Sequence, residues 1–344
     1  MPLLWFAILA AMLTTYVVLD GLDFGAGIAH LFIAKTDEQR RTVLAAIGPV
    51  WDGNEVWLIA SGGVLFFAFP RAYAAATSGF YLPLMIVLWM LIFRGLSIEL
   101  RSTIDNPLWR TFWDVAFAAS SILLAFVFGA TFGNLVRGVP IDDDGYFSTP
   151  LFNTFWPSAF AGAIDAYTAS VGLFAVAVLG IHGALFVKWK TSGEVAKQAT
   201  IFAKGCLSAA LILDIVVALG SAVVRPDAMH AFASRPLAWL FAVVAMSGAV
   251  IALRGLSSDD DFTPFAGSCL FLAGTLLAGA VALSPVILRS TIDPSYSLDA
   301  AHAASGAHGL SIGLYWFTPA ITLAVIYVVM VFRATRGKTD AASH

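Results

Sequence analysis

The stretch that decides the fold is Leu3–Ile33, LLWFAILAAMLTTYVVLDGLDFGAGIAHLFI, in which Asp20 and Asp23 are the only acidic residues and no Lys or Arg occurs. Inside lipid no water satisfies backbone N–H and C=O groups, so a crossing segment must be a helix of about 20 mainly apolar residues. Leu3–Ile33 meets that demand with residues to spare. Eight further runs do the same, at 50–69, 78–100, 111–134, 158–187, 199–223, 234–254, 263–288 and 311–333. A membrane β-barrel would show alternating segments of about ten residues, whereas these runs are continuous. The residues AVILMFWYC make up 59% of the 344 and charged residues only 12%. The mean hydropathy is +0.85, outside the range of soluble globular chains. The predicted class is an all-α polytopic membrane protein with nine transmembrane helices.

The runs form a single integral membrane domain over 1–344, with a first four-helix half at 1–134, a second at 158–288 and a ninth helix at 311–333. An echo supports two four-helix bundles plus one helix: LDGLDFGAGI from Leu19 and IDAYTASVGL from Ile164 each place a glycine seven residues after an aspartate. The connections leave no room for a soluble catalytic domain, so any chemistry involves the helices or a partner. No cation precedes the first run, which also exceeds a signal-peptide core, so the first helix is expected to stay uncleaved. Of the 19 Lys and Arg, most fall in the connections that start with 34–49, while Arg71, Arg137, Arg225, Arg235 and Arg289 fall in the alternate ones. Cations favour the cytoplasmic side, which predicts an outside N-terminus and a cytoplasmic C-terminus. The two cysteines, Cys206 and Cys269, lie in or near apolar runs and are read as packing residues, with no metal site expected. No nucleic-acid partner is expected.

A charge inside the bilayer costs about 2.5–3.5 kcal/mol on insertion scales, so each one is a functional candidate. The candidates are Asp20, Asp23, Asp52, Glu55, Arg94, Asp165 and Asp214. Asp20 and Asp23 lie roughly 26–30 Å along the first helix at 1.5 Å per residue. In GPVWDGNEVWLI, residues 48–59, Asp52 and Glu55 open the second helix on that same side, three residues apart and so on one face. Arg94 nears the matching end of the third helix. Opposite charges from three helices thus meet at one level. A structural reading has Arg94 neutralising carboxylates to hold the bundle together; a functional one has the carboxyls passing protons. Trp51 is read as an interface anchor, Trp57 as lining an apolar passage, and Gly62 and Gly63 as allowing close helix contact. His30 and His182, at similar depth, are the pair a bis-histidine haem would use, while His230, His302, His308 and His344 lie in loops or the tail.

These residues carry a family resemblance. LDGLDFGAGI, GPVWDGNEVWLIASGGVLFFAFPRAYA from Gly48, FRG from Phe93, GNLVRGVP from Gly133 and LGIHGALFVKWKT from Leu179 resemble subunit II of the cytochrome bd type ubiquinol oxidases, including the cyanide-insensitive branch. The resemblance implies a partner subunit I holding haem b and haem d, quinol as the reductant of O2, and no haem bound by this chain alone. A small single-helix subunit and a structural quinone are further partners the family allows. It implies a bacterial cytoplasmic membrane location. By matching position, Asp52 falls on a proton-delivery path; Glu55 and Asp20, singled out above as charges in the bilayer, are read as part of the same path. Asp23 and Arg94 match residues that keep the haem sites intact, and Trp57 matches one near an oxygen tunnel. Leu22 stands where the family has Phe. The rival classes are a proton-coupled membrane transporter, which predicts interrupted helices at the midplane, and a haem-bearing quinol dehydrogenase anchor, which needs His30 and His182 as ligands.

Overall fold

Pro2 begins the first helix, where a missing N–H costs nothing, and helix α1 runs unbroken over Pro2–Ile33. The computed structural model describes residues 1–258 and 260–339, so His344 lies outside the described residues. The order continues with α2 (Asp37–Ile47), α3 (Trp51–Ala68), α4 (Pro70–Gly79), α5 (Tyr81–Leu100), α6 (Pro107–Arg137) and α7 (Ala166–Lys190). Then come α8 (Gly193–Val224), α9 (Pro226–Ser234), α10 (Pro236–Gly255), α11 (Phe262–Leu283) and α12 (Ala307–Ala334). A short hairpin, β1 (Val286–Leu288) with antiparallel β2 (Leu298–Asp299), lies between α11 and α12.

Local chemistry sets the breaks. Thr36 and Gln39 form a capping box that starts α2, which satisfies two of the N–H groups a helix start leaves free. Pro70 ends α3 and opens α4, because a proline disfavours helical geometry in the residue before it. Asn106 caps α6 by accepting from Leu108 N at 2.8 Å, with Pro107 in the first position.

Among the described residues, eight helices are long and apolar enough to cross a membrane: α1, α5, α6, α7, α8, α10, α11 and α12. The remaining predicted span corresponds to α3, 18 residues long, which is not among these eight: Asp52, Asn54 and Glu55 near its start keep it below their apolarity. Two predicted boundaries shift. The segment 158–165 is irregular and α7 begins only at Ala166, while α11 stops at Leu283 and the following residues enter β1. Asp165 therefore caps α7 at its start and is not within a helix. Asp20, by contrast, lies deep in α1, so the two aspartates of the sequence echo sit at different depths.

α1 is the central element, packed against α3, α6, α7, α8 and α11. Lipid is as apolar as leucine, so helices associate in it through close packing and not through a hydrophobic drive. The crossing of α1 with α7 depends on this. A Cβ added to Gly25 would fall 1.9 Å from Leu179 O, and one added to Gly183 would fall 2.2 Å from Ala26 N. The backbones touch there because neither residue has a side chain. Gly62 and Gly63, expected at a helix contact, have nothing within 4 Å of an added Cβ; they lie on an open face of α3. α12 is the least embedded of these eight long helices, with Leu310 its one buried residue. It leans on Trp5, whose Nε1 donates to Leu310 O at 3.1 Å, and on Gly53, against which Tyr327 packs.

Candidate functional site

Four residues separate successive same-face positions on a helix, and three do nearly as well; Asp20 and Asp23 therefore project from one side of α1. That side meets α3 and α5. Asn54 Nδ2 donates to Asp23 Oδ2 at 2.7 Å and to Leu19 O at 3.1 Å. Arg94 Nη1 donates to Asp20 Oδ1 at 2.6 Å, and its Nη2 donates to Glu55 Oε1. The guanidinium also lies 4.6 Å from the Phe24 ring centre, a stacking position that favours arginine over lysine. One guanidinium thus faces three carboxyl groups.

Burial across this cluster is graded. Asp52 is exposed at the start of α3, the Glu55 side chain is 24% exposed, and Asp20, Asp23 and Arg94 are each 0% exposed. Trp57, one turn beyond Gly53, is buried. The predicted residues Asp20, Asp23, Glu55 and Arg94 are brought together, with Asp52 in the turn before Glu55. Arg94 pairs with Asp20 and Glu55; the direct partner of Asp23 is Asn54, a residue whose role the sequence left open.

A second network closes the α2 side. Asp114, buried in α6, accepts from His30 Nε2 at 2.7 Å, Arg40 Nη1 at 2.7 Å and Arg101 Nε at 2.6 Å. Arg101 Nη2 extends it to Asp37 Oδ1 at 2.9 Å. Sequence reasoning missed Asp114, although an aspartate in the first turn of the predicted fourth run, 111–134, was the signal. The other candidates lie apart. Asp165 pairs with Arg137 and accepts from Thr168 N at 2.8 Å. Asp214 is exposed on α8, and Cys206 and Cys269 are free and half-buried.

Of the two histidines the sequence pairs, each has a protein partner in the structure. His182 Nε2 donates to Val18 O at 2.9 Å while its Nδ1 meets Ser268 Oγ at 2.7 Å, so both ring nitrogens are taken. His30 commits Nε2 to Asp114.

Fold and site together define a class: a polytopic helical membrane protein with ionisable groups sealed inside its bundle. The family model for cytochrome bd terminal oxidase subunit II matches residues 1–335. The chain belongs to that family. It is 30% identical to cytochrome bd ubiquinol oxidase subunit 2 of Bacillus subtilis, over 96% of this chain and 95% of that protein. With cytochrome bd-I ubiquinol oxidase subunit 2 of Escherichia coli K12 the identity is 29%, over 96% and 92% of the two chains. With the probable cytochrome oxidase subunit 2 of Haemophilus influenzae it is 27%, over 98% and 95%. The solved bd oxidase from Geobacillus thermodenitrificans shares the fold, with a TM-score of 0.72 at 16% identity over 97% of this chain and 98% of that one. The protein is a multi-pass membrane subunit of a terminal oxidase, an oxidoreductase complex. A partner subunit I and haem in the assembled complex follow from the family.

Proposed function

We propose that this chain supports a haem-bearing subunit I and admits cytoplasmic protons for the reduction of O2 to water by quinol. The carrying observation is the burial gradient from exposed Asp52, through partly exposed Glu55, to fully buried Asp20 and Arg94. A proton path needs an entrance in contact with water and carboxyls that continue inward. Three carboxyl groups around one guanidinium hold more acid than the cation can balance, and that excess is where a proton is stored. Asp23 and Arg94 keep the haem sites of the partner intact by holding α1, α3 and α5 in register. Trp57 lines the apolar access of O2, a solute that concentrates in lipid.

In this reading the haem b and haem d groups reside in subunit I. The open face of α3, where Gly62 and Gly63 leave room and Val56 and Ile59 are exposed, receives that partner. The N-terminus lies outside and the C-terminus in the cytoplasm of a bacterial inner membrane, and a small single-helix subunit and a structural quinone complete the assembly. The test is Asp52→Asn in the whole complex. Quinol-driven oxygen consumption is expected to fall about tenfold or more, with the haem content unchanged in a reduced-minus-oxidised spectrum. Full activity would remove Asp52 from the path.

A further inference from the structure

Along α1, Tyr16, Asp20, Asp23, Gly27 and His30 recur at spacings of 4, 3, 4 and 3 residues and so form one continuous stripe. Tyr16, Asp20, Asp23 and His30 are each at most 2% exposed. Gly27 lacks a side chain, but Ser121 of α6 fills its place: a Cβ on Gly27 would fall 2.0 Å from Ser121 Oγ. The stripe therefore carries a polar group at every step.

Its hydrogen bonding is unfinished in a patterned way. Among the described residues, the buried side-chain atoms without a protein partner are Tyr16 Oη, Asp20 Oδ2, Asp23 Oδ1, Ser121 Oγ and His30 Nδ1 on the stripe, with Arg94 Nε beside it and Arg40 Nε and Arg101 Nη1 in the Asp114 network. Outside this line the same holds only for Trp113 Nε1 and Thr149 Oγ1. Buried polar atoms are almost always bonded to protein or to ordered water, and a water that serves them makes about three hydrogen bonds.

We propose a second polar route into the carboxyl cluster: a row of bound water molecules along this face of α1, held by His30, Ser121, Asp23, Asp20 and Tyr16. It starts at the α2 side, where Arg40 is 24% exposed and Asp114 joins Arg40 to His30. It ends one turn beyond Asp20, at the Tyr16 hydroxyl, which the Phe24 and Phe128 rings wall off. His30 stands at the junction, with one ring nitrogen on the Asp114 carboxylate and the other facing no protein partner, where it can accept from a water of the row. The route rests on the reading of the cluster as a proton path, and it adds an entrance independent of Asp52.

Ser121→Ala tests it, since this removes the hydroxyl between His30 and Asp23 and touches neither charge network. In the Asp52→Asn complex, where this route carries the remaining protons, Ser121→Ala is expected to slow oxygen consumption by a further tenfold or so, the scale of one lost hydrogen bond. In the otherwise unaltered complex it should slow the rate less, with haem spectra intact in both. An unchanged rate in the Asp52→Asn background would overturn the route. A cryo-EM map of the unaltered complex decides independently of any variant: water density joining Ser121 Oγ to Asp23 Oδ1 and His30 Nδ1 supports the route, and a dry stripe sinks it. If Asp52→Asn alone is fully active, the Asp52 entrance fails while the water row is still judged by that map.

Discussion

Two buried arginines in this protein keep different company. Arg137 pairs with one carboxylate, Asp165, and its remaining donors reach Asn134 Oδ1 at 2.6 Å and Gly162 O at 3.1 Å. Asp165 in turn caps α7 and bonds Thr168. Each charged atom of that pair has a partner. Arg94 faces Asp20 and Glu55 with Asp23 behind them, and Asp20 Oδ2, Asp23 Oδ1 and its own Nε are left without protein partners. Burial is nearly equal, so burial alone does not distinguish a fastening from a site. What separates them is balance: one pair is saturated and the other cluster has acid and lone pairs to spare.

The largest expected effects break each arginine in turn. Removing one partner of a buried pair strands a charge and costs about 3–5 kcal/mol, so Arg94→Leu and Arg137→Leu should both lower thermal stability of the purified complex. They should differ in what else is lost. For Arg94→Leu, and for Asp23→Asn, haem absorption per mole of complex should fall; for Arg137→Leu, the surviving complex should keep its haem and its rate. Equal haem loss in both arginine variants would erase the distinction. Replacing Arg137 and Asp165 together by Leu and Asn should recover most of the stability lost by Arg137→Leu, because a saturated pair has no further duty.

A smaller effect tests the frame that holds both regions. Gly183→Ala puts a carbon 2.2 Å from Ala26 N, so α1 and α7 must separate; overpacking of this kind costs about 1–3 kcal/mol. A lowered melting temperature with a shifted haem spectrum is expected, since α1 carries the Arg94 partners. The smallest effect belongs to Gly62→Ala. With nothing near the added carbon, this chain's stability should move by no more than about 0.5 kcal/mol, measured on the purified subunit.

Much of this was legible in advance for a definable reason. Lipid forces a long apolar run to be a helix, so α1, α5, α6, α7, α8, α10, α11 and α12 were visible as hydropathy alone, and α3 despite its polar mouth. Asp20, Asp23, Glu55 and Arg94 stood out because charge is rare in such runs. The misread residues were those whose meaning is a contact. Asp165 looked like an intramembrane acid until its loop placed it as a cap. Gly62 and Gly63 looked like packing glycines, while the backbone contact fell to Gly25 and Gly183. Asn54 stood in the polar mouth without a role, and Ser121 and Tyr16 gave no sign, since neutral polar residues are common in membrane helices and only a neighbour reveals which are bonded.

The sequence by itself determined that the chain is a bundle of membrane helices, that it belongs with the oxidase subunits through motifs such as GPVWDGNEVWLI, and that opposite charges gather near one end of three helices. Those properties follow from the cost of placing polar groups in lipid, which is paid residue by residue. Only the tertiary structure decided which acid meets which base, why Arg94 is outnumbered while Arg137 is matched, and that a polar stripe runs along α1 to His30 and Asp114. Pairing depends on helix rotation and crossing, and these are set by contacts such as Gly25 against Gly183 between segments more than 150 positions apart in the chain.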